Sequence, residues 1–183
     1  MDEQFEFLRS IVQRLDAAGI PYMLTGSLAL AIWARPRMTR DVDVVIEADQ
    51  AAVRRLLAAF AADSYTSPEA AADAVDARSM FNVIHFTSLL KADFILRREE
   101  PYERAKFARR RVVDLEGLPV AVIAPEDLIL SKLDWARGTG SARQAEDVRL
   151  LLRDVSGLDE AYLREWAATL DLTSALEALR PDA

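Results

Sequence analysis

Apolar positions recur at helical spacing near the amino terminus. Phe5, Leu8, Ile11, Val12, Leu15 and Ala18 fall on one stripe, which predicts a helix over residues 4–18. Gly19 and Pro21 stop that helix and turn the chain. Tyr22 to Leu24 predicts a short strand leading into Gly26. The apolar run Leu28 to Trp33 predicts a helix opened by Ser27, a favourable N-cap residue, and ended by Pro36. Val42 to Ile46 is β-branched and predicts a strand. Asp49 then caps an amphipathic helix carrying Val53, Leu56, Leu57 and Phe60. Residues 61–79 are rich in Ala and Asp around Pro68, the composition of a peripheral helix or mobile insertion. Met80 to Phe86 and Leu89 to Leu96 predict two strands joined through Thr87-Ser88.

Further on, Pro101 to Ala108 predicts a short helix. Arg111 to Leu115 and Leu118 to Ile123 predict a hairpin turning at Glu116-Gly117. From Pro125 the pattern is helical throughout. Pro125 suits a first turn, and Glu126 and Asp127 complement the helix dipole. That helix is expected to end at Gly138. Ser141-x-x-Gln144 has the form of a capping box for the next helix, which carries Ala145, Val148, Leu151, Leu152 and Val155. Two shorter helices are expected near 159–170 and 173–179. The class is α+β, with residues 1–124 as one domain and residues 125–183 as a helical part packed on it.

Composition narrows the chemistry. At 183 residues and 51% hydrophobic, the chain has enough apolar material for a proper core. No apolar run approaches the ~20 residues of a membrane span. The acidic start, MDEQFEF, is unlike a signal peptide, so a cytoplasmic location is expected. There are no cysteines and one histidine, so any metal must be held by oxygen ligands. His85 sits in a strand between Ile84 and Phe86, where a satisfied structural histidine competes with a general base. The net charge of −7 argues against a broad nucleic-acid surface. Charge is uneven, however. Between Arg97 and Arg111 lie seven cations against three acids, and Arg35, Arg37 and Arg40 form a second group. The longer stretch is either a solvated face or a grip for RNA phosphates.

The stretch Thr25 to Val45 concentrates the candidate chemistry. It contains Gly26-Ser27, thirteen intervening residues, and then Asp41-Val42-Asp43. Residues two apart on a strand share a face, so Asp41 and Asp43 point the same way. Two such acids repel unless a cation lies between them, and Mg²⁺ prefers carboxylates plus substrate phosphates. Gly26 permits close backbone approach to a phosphate, and a helix N-terminus favours an anion. Arg40 falls beside Asp41 and joins Gly26 and Ser27 as a candidate nucleotide contact. Asp93 lies mid-strand among apolar neighbours, where a lone acid is costly. A metal shared with Asp41 and Asp43 would compensate it; a solvent-facing edge position is the alternative.

Gly26-Ser27 with the spaced Asp41-x-Asp43 resembles the signature of the DNA polymerase β-like nucleotidyltransferase superfamily, over roughly residues 22–96. The resemblance implies a mixed sheet flanked by helices and a third metal-binding acid on a later strand, for which Asp93 is the natural candidate. It also implies catalysis by Asp41, Asp43 and Asp93 with two Mg²⁺ ions and a nucleoside triphosphate. The segment ProGluAspLeuIleLeuSerLysLeu, followed by SerAlaArgGlnAlaGluAspVal, is similar to the AbiEii-type and MenT-like branch, often toxins of toxin–antitoxin systems. That branch implies active-site roles for Lys132 and Asp147, a transfer RNA 3′ end or a protein side chain as acceptor, and a cognate antitoxin. From the residues alone, Lys132 either snorkels to water beside Leu128 and Trp135 or reaches a triphosphate. Asp147 either joins such a site or pairs with Arg143 one turn earlier. An inactive nucleotide-binding or regulatory protein and an antibiotic-type enzyme are the alternatives on the same scaffold.

Overall fold

The computed structural model describes residues 3–35 and 39–180. Helix α1 (Glu3–Ala18) buries Phe7, Leu8, Ile11, Val12 and Leu15, the expected stripe. Strand β1 (Tyr22–Thr25) follows, then α2 (Gly26–Trp33), β2 (Asp41–Ile46) and α3 (Gln50–Phe60). Asp49 caps α3 by accepting the Ala52 N–H at 2.8 Å. The helix α2 begins one residue earlier than expected. Its N-cap is Thr25, without a side-chain cap bond, so Ser27 sits inside the first turn rather than capping it. Pro36, expected to end α2, lies outside the described residues; α2 ends at Trp33.

Residues 61–79 form the expected helix and, in addition, a short strand at the sheet edge. Ser64–Thr66 is that strand, β3, and Pro68–Ala77 is the helix, α4. Its buried face is made of small side chains, Ala71, Ala74 and Val75. Next come β4 (Met80–His85) and β5 (Lys91–Leu96). Leu89, expected in the strand, instead takes φ +56° in the connecting turn. Helix α5 (Pro101–Ala108) leads to the hairpin β6 (Arg111–Leu115) and β7 (Leu118–Val122). Glu116 and Gly117 both have positive φ, as a two-residue hairpin turn requires.

The described strands form one sheet in the order β3-β4-β5-β2-β1-β7-β6. Strands β2 and β5 pair in parallel, as do β1 and β7; the other neighbours are antiparallel. The carboxy-terminal helices are α6 (Pro125–Thr139), α7 (Ala142–Asp154), α8 (Glu160–Thr169) and α9 (Thr173–Leu179). Helix α6 runs on through Gly138 and is capped by left-handed Gly140. Their buried residues Leu128, Leu133, Val148, Leu151, Leu163 and Leu176 join the apolar cluster that includes the strands. Among the described residues, no helix is long and apolar enough to cross a membrane.

Glu126 and Asp127 do more than complement a dipole. Both are fully buried at the start of α6. Glu126 meets Arg109 at 3.2 Å and Arg111 at 3.3 Å, and accepts the Asp159 N–H at 3.0 Å. Asp127 accepts from the Tyr162 hydroxyl at 2.8 Å. Burial raises the Asp127 carboxyl above its ordinary value, and the Tyr162 hydrogen bond opposes that rise. Helix α6 is thereby tied to β6, α5 and α8 by charge as well as by apolar contact.

Candidate functional site

The sheet register builds the site. Thr25 of β1 pairs with Asp43 of β2, Asp43 with Asp93 of β5, and Asp93 with Asn82 of β4. The next rung on the same face, two residues along, pairs Asp41 with Lys91. Side chains alternate along each strand, so Asp41, Asp43, Lys91 and Asp93 share one face. The opposite face is apolar. There Val42, Val44, Ala92 and Phe94 are buried, and the Phe94 ring meets Phe60 of α3 at 5.9 Å. The acids therefore cannot turn away without exposing the core.

Asp41 is exposed, Asp43 half-buried and Asp93 buried. Lys91 Nζ lies 2.9 Å from Asp93 Oδ2 and 3.7 Å from Asp41 Oδ1. Asp93, expected to need a compensating partner, finds one in this lysine through Oδ2. Its other oxygen, Oδ1, is buried without a hydrogen-bond partner. Burial, followed by the charges of Asp93 and Asp41, raises the Asp43 carboxyl above the usual carboxylate range. The hydrogen bond to Asp93 holds the Lys91 ammonium above its ordinary value. Oxygen donors of this kind suit a hard divalent cation, and the unpartnered Asp93 Oδ1 is one more. Among the described residues no three acids or histidines stand as a closed ligand set. Lys91 reaches between two of the carboxylates instead.

Gly26 abuts this cluster. Its φ is +66°, and a Cβ there would lie 1.9 Å from Asp43 Oδ2. The first turn of α2, whose amides lack intrahelical acceptors, thus opens directly beside Asp43. Ser27 is half-buried in that turn. Arg40 is exposed beside Asp41, and its carbonyl accepts the Lys91 N–H at 3.3 Å.

A cavity of 510 Å³ opens from Gly26 and Asp43 toward α5 and α6, reaching Tyr102, Ser131, Lys132 and Trp135. That size suits a nucleotide-sized ligand. Lys132 does not snorkel. It is buried, and Nζ donates to Asp147 Oδ2 at 2.7 Å and Gln144 Oε1 at 3.1 Å. The close ion pair of Asp147 is thus with Lys132, where one with Arg143 was the alternative. Gln144 Oε1 thus accepts from Lys132, while Ser141 supplies its half of the capping box by accepting the Gln144 N–H at 3.4 Å.

Two sequence features are engaged by contacts within the chain. His85 Nδ1 lies 2.8 Å from Ser88 Oγ, and its ring packs on Phe7. In the 97–111 stretch, Arg97 pairs with Glu47 and Glu99, Arg104 with Glu99, and Lys106 with Glu103. Arg109 and Arg111 are engaged with Glu126. Arg98 lines the cavity. Sequence reasoning misses Lys91; its position two residues before Asp93 is the available signal.

Among curated protein sequences, none matches this chain. Solved structures share its fold. A nucleotidyltransferase-like antigenic protein from Paracoccidioides brasiliensis aligns with TM-score 0.59 and 20% identity, over 93% of this chain and 90% of its own. The antibiotic-resistance factor ANT(2″)-Ia aligns with TM-score 0.59 and 16% identity, over 96% and 95%. A crystal structure of ANT(2″)-Ia holds adenylyl-2″-tobramycin and aligns with TM-score 0.56, over 98% and 95%, at 16% identity. The fold is accordingly that of the nucleotidyltransferases. One family model, described as nucleotidyl transferase AbiEii toxin of type IV toxin–antitoxin systems, matches residues 9–180. With that match running from α1 into the final residues of the helical part, the chain belongs to the AbiEii nucleotidyltransferase toxin family.

Proposed function

We propose that this protein transfers a nucleoside monophosphate from a nucleoside triphosphate to an acceptor hydroxyl. The observation that carries this reading is the rung setting Asp43 against Asp93 and beside Gly26, at the mouth of the cavity. Two Mg²⁺ ions, held by Asp41 and Asp43 with Asp93 completing one set, would supply Lewis-acid activation of the phosphate and of the acceptor hydroxyl. Gly26, Ser27 and the first amides of α2 grip the triphosphate. Lys132, oriented by Asp147 and Gln144, faces the departing pyrophosphate. Arg40 adds a cation at the exposed rim. The acceptor oxygen bonds to the α-phosphorus as the bond to the bridging oxygen breaks. Pyrophosphate leaves with that bridging oxygen, and Asp93 takes the hydroxyl proton. Residues 1–124 contribute the acids and Gly26; residues 125–183 contribute Lys132 and Asp147.

The acceptor is read as an RNA 3′ end, in line with the toxin family, whose members imply an antitoxin partner. The cations of 97–111 that are engaged within the chain favour recognition of a terminus over a grip along a duplex. They equally favour a second reading, a compact small-molecule hydroxyl. One experiment addresses both. The protein is incubated with each labelled nucleoside triphosphate, Mg²⁺, and either total RNA or an aminoglycoside panel, beside the Asp41→Ala/Asp43→Ala variant. Label transfer lost in the variant supports the enzyme and identifies the acceptor class. Nucleotide binding without transfer to any acceptor would favour an inactive regulatory protein. Neither binding nor transfer would refute the proposal.

A further inference from the structure

Lys91 is charged, partly buried and unaccounted for by the transfer chemistry. It stands opposite Asp41 in register and two residues before Asp93 on the same face. Its ammonium touches one oxygen of Asp93 at 2.9 Å and approaches one of Asp41 at 3.7 Å. Three carboxylates crowd this face, and Lys91 is the cation set among them. Lys132, across the cavity, is paired with Asp147 at 2.7 Å. The lone pair with which Asp93 Oδ2 accepts the ammonium is closed to a metal ion, while Oδ1 is without a hydrogen-bond partner. Two positive charges over the same oxygens also repel.

From this geometry we infer that Lys91 is a built-in counter-ion. It holds the carboxylates together in the metal-free protein and must give up Asp93 Oδ2 before a divalent cation can use both oxygens of that carboxylate. This inference rests on the metal site proposed above. Lys91 is a positioning residue with two opposing effects. It stabilises the metal-free fold, because it offsets mutual repulsion of the acids. It weakens metal binding, because the ion must displace it. The side chain is 35% exposed, so solvent screens part of both effects. The released ammonium has room to swing toward solvent, since Asp41 itself lies at the exposed end of β2.

The test measures metal affinity without turnover. Mn²⁺ is titrated by calorimetry into the nucleotide-free full chain, for the parent, Lys91→Met and Lys91→Arg. Lys91→Met keeps the apolar stem and removes the charge. It is expected to bind Mn²⁺ at least ~10-fold more tightly than the parent, the scale of one lost charge repulsion at a partly exposed site. Its melting temperature without metal should fall, and added Mn²⁺ should raise it by more than in the parent. Lys91→Arg keeps the charge and should bind Mn²⁺ no more tightly than the parent. Equal or weaker Mn²⁺ binding by Lys91→Met would overturn the inference while leaving the metal site intact. Failure of every protein to bind Mn²⁺, even with saturating nucleotide, would overturn the metal site itself and the inference with it. If Lys91→Met folds only with Mn²⁺ present, chelator titration of the folded protein gives the same affinity order and the same decision.

Discussion

The contact between Gly26 and Asp43 can be tested by adding a single methyl group. Gly26→Ala carries two costs. The first is conformational. Gly26 has φ +66°, where a side chain costs about 1–2 kcal/mol. The second is steric. The new Cβ would lie 1.9 Å from Asp43 Oδ2, 2.7 Å from its Cγ and 3.0 Å from its Cβ. Turning the carboxylate alone cannot clear the Cγ and Cβ contacts, so the whole side chain or the strand must retreat. An off-rotamer side chain costs about 0.5–1.5 kcal/mol, and a backbone shift about 1–3 kcal/mol. Gly26→Ala should therefore destabilise the protein by about 2–4 kcal/mol. Gly19 provides the control. Its φ is +65°, and a Cβ there would meet nothing within 4 Å, so Gly19→Ala carries the conformational cost alone. The difference between the two variants, about 1–2 kcal/mol, isolates the clash with Asp43. Urea unfolding followed by tryptophan fluorescence measures both. Displacing Asp43 should also cut nucleotide transfer by about 10²-fold in Gly26→Ala. Equal destabilisation by the two variants, with transfer in Gly26→Ala retained within a few-fold, would refute the argument that Gly26 is required for the seat of Asp43.

Other substitutions probe neighbouring parts. Lys132→Met removes the 2.7 Å partner of Asp147, with both side chains almost wholly buried, and should cost about 3–5 kcal/mol in urea unfolding. Adding Asp147→Leu should recover most of that loss; no recovery would count against a charge imbalance as the cause. Asp43→Asn removes a carboxyl that burial and two neighbouring acids push upward. The folded state holds that proton more tightly than the unfolded chain, so the charged form costs stability at neutral pH. That cost disappears below the ordinary value of 3.8, where both states are protonated. The metal-free variant should thus be more stable than its parent at neutral pH and match it in strong acid, as read by unfolding at each pH. A variant less stable at neutral pH would contradict the sign. Finally, if RNA is the acceptor, the engaged cations of 97–111 leave few charges for phosphates. The slope of log K against log salt should be shallower than about −2 in a binding titration, and a steep slope would point to a broader RNA footprint.

The parts legible from sequence are those fixed by local spacing. Asp41 and Asp43 follow the period of a strand, and Gly26 lies a short helix away, so spacing alone groups these three. Asp93 stands out because a lone mid-strand acid needs a partner, and the register sets it opposite Asp43. The identity of its immediate partner is not legible in the same way. Lys91 looks like any solvent-facing lysine until the parallel pairing of β2 with β5 sets it across from Asp41. The same holds for residues 61–79, where alanines that read as filler become buried contacts of α4. The cations of 97–111 look available because their partners are distant in sequence: Glu47 for Arg97, and Glu126 for Arg109 and Arg111. Local pattern reports propensity and face; which charges meet depends on long-range pairing.

That pairing also constrains how a substrate can enter. The sheet presents three carboxylates and one ammonium, while Lys132 is matched by Asp147. The carboxylate face beside Gly26 therefore carries more acids than ammonium groups, and a triphosphate is strongly negative as well. The first turn of α2 contributes only a partial positive charge, equivalent to roughly half an elementary charge. It cannot offset repulsion between the acids and the phosphates by itself. On the proposed function, a nucleotide that arrives already bound to a divalent cation, or follows one into the carboxylates, would meet less repulsion. An ion that took Asp93 Oδ2 would displace Lys91, so nucleotide binding and the opening of that ion pair would then be coupled through that oxygen.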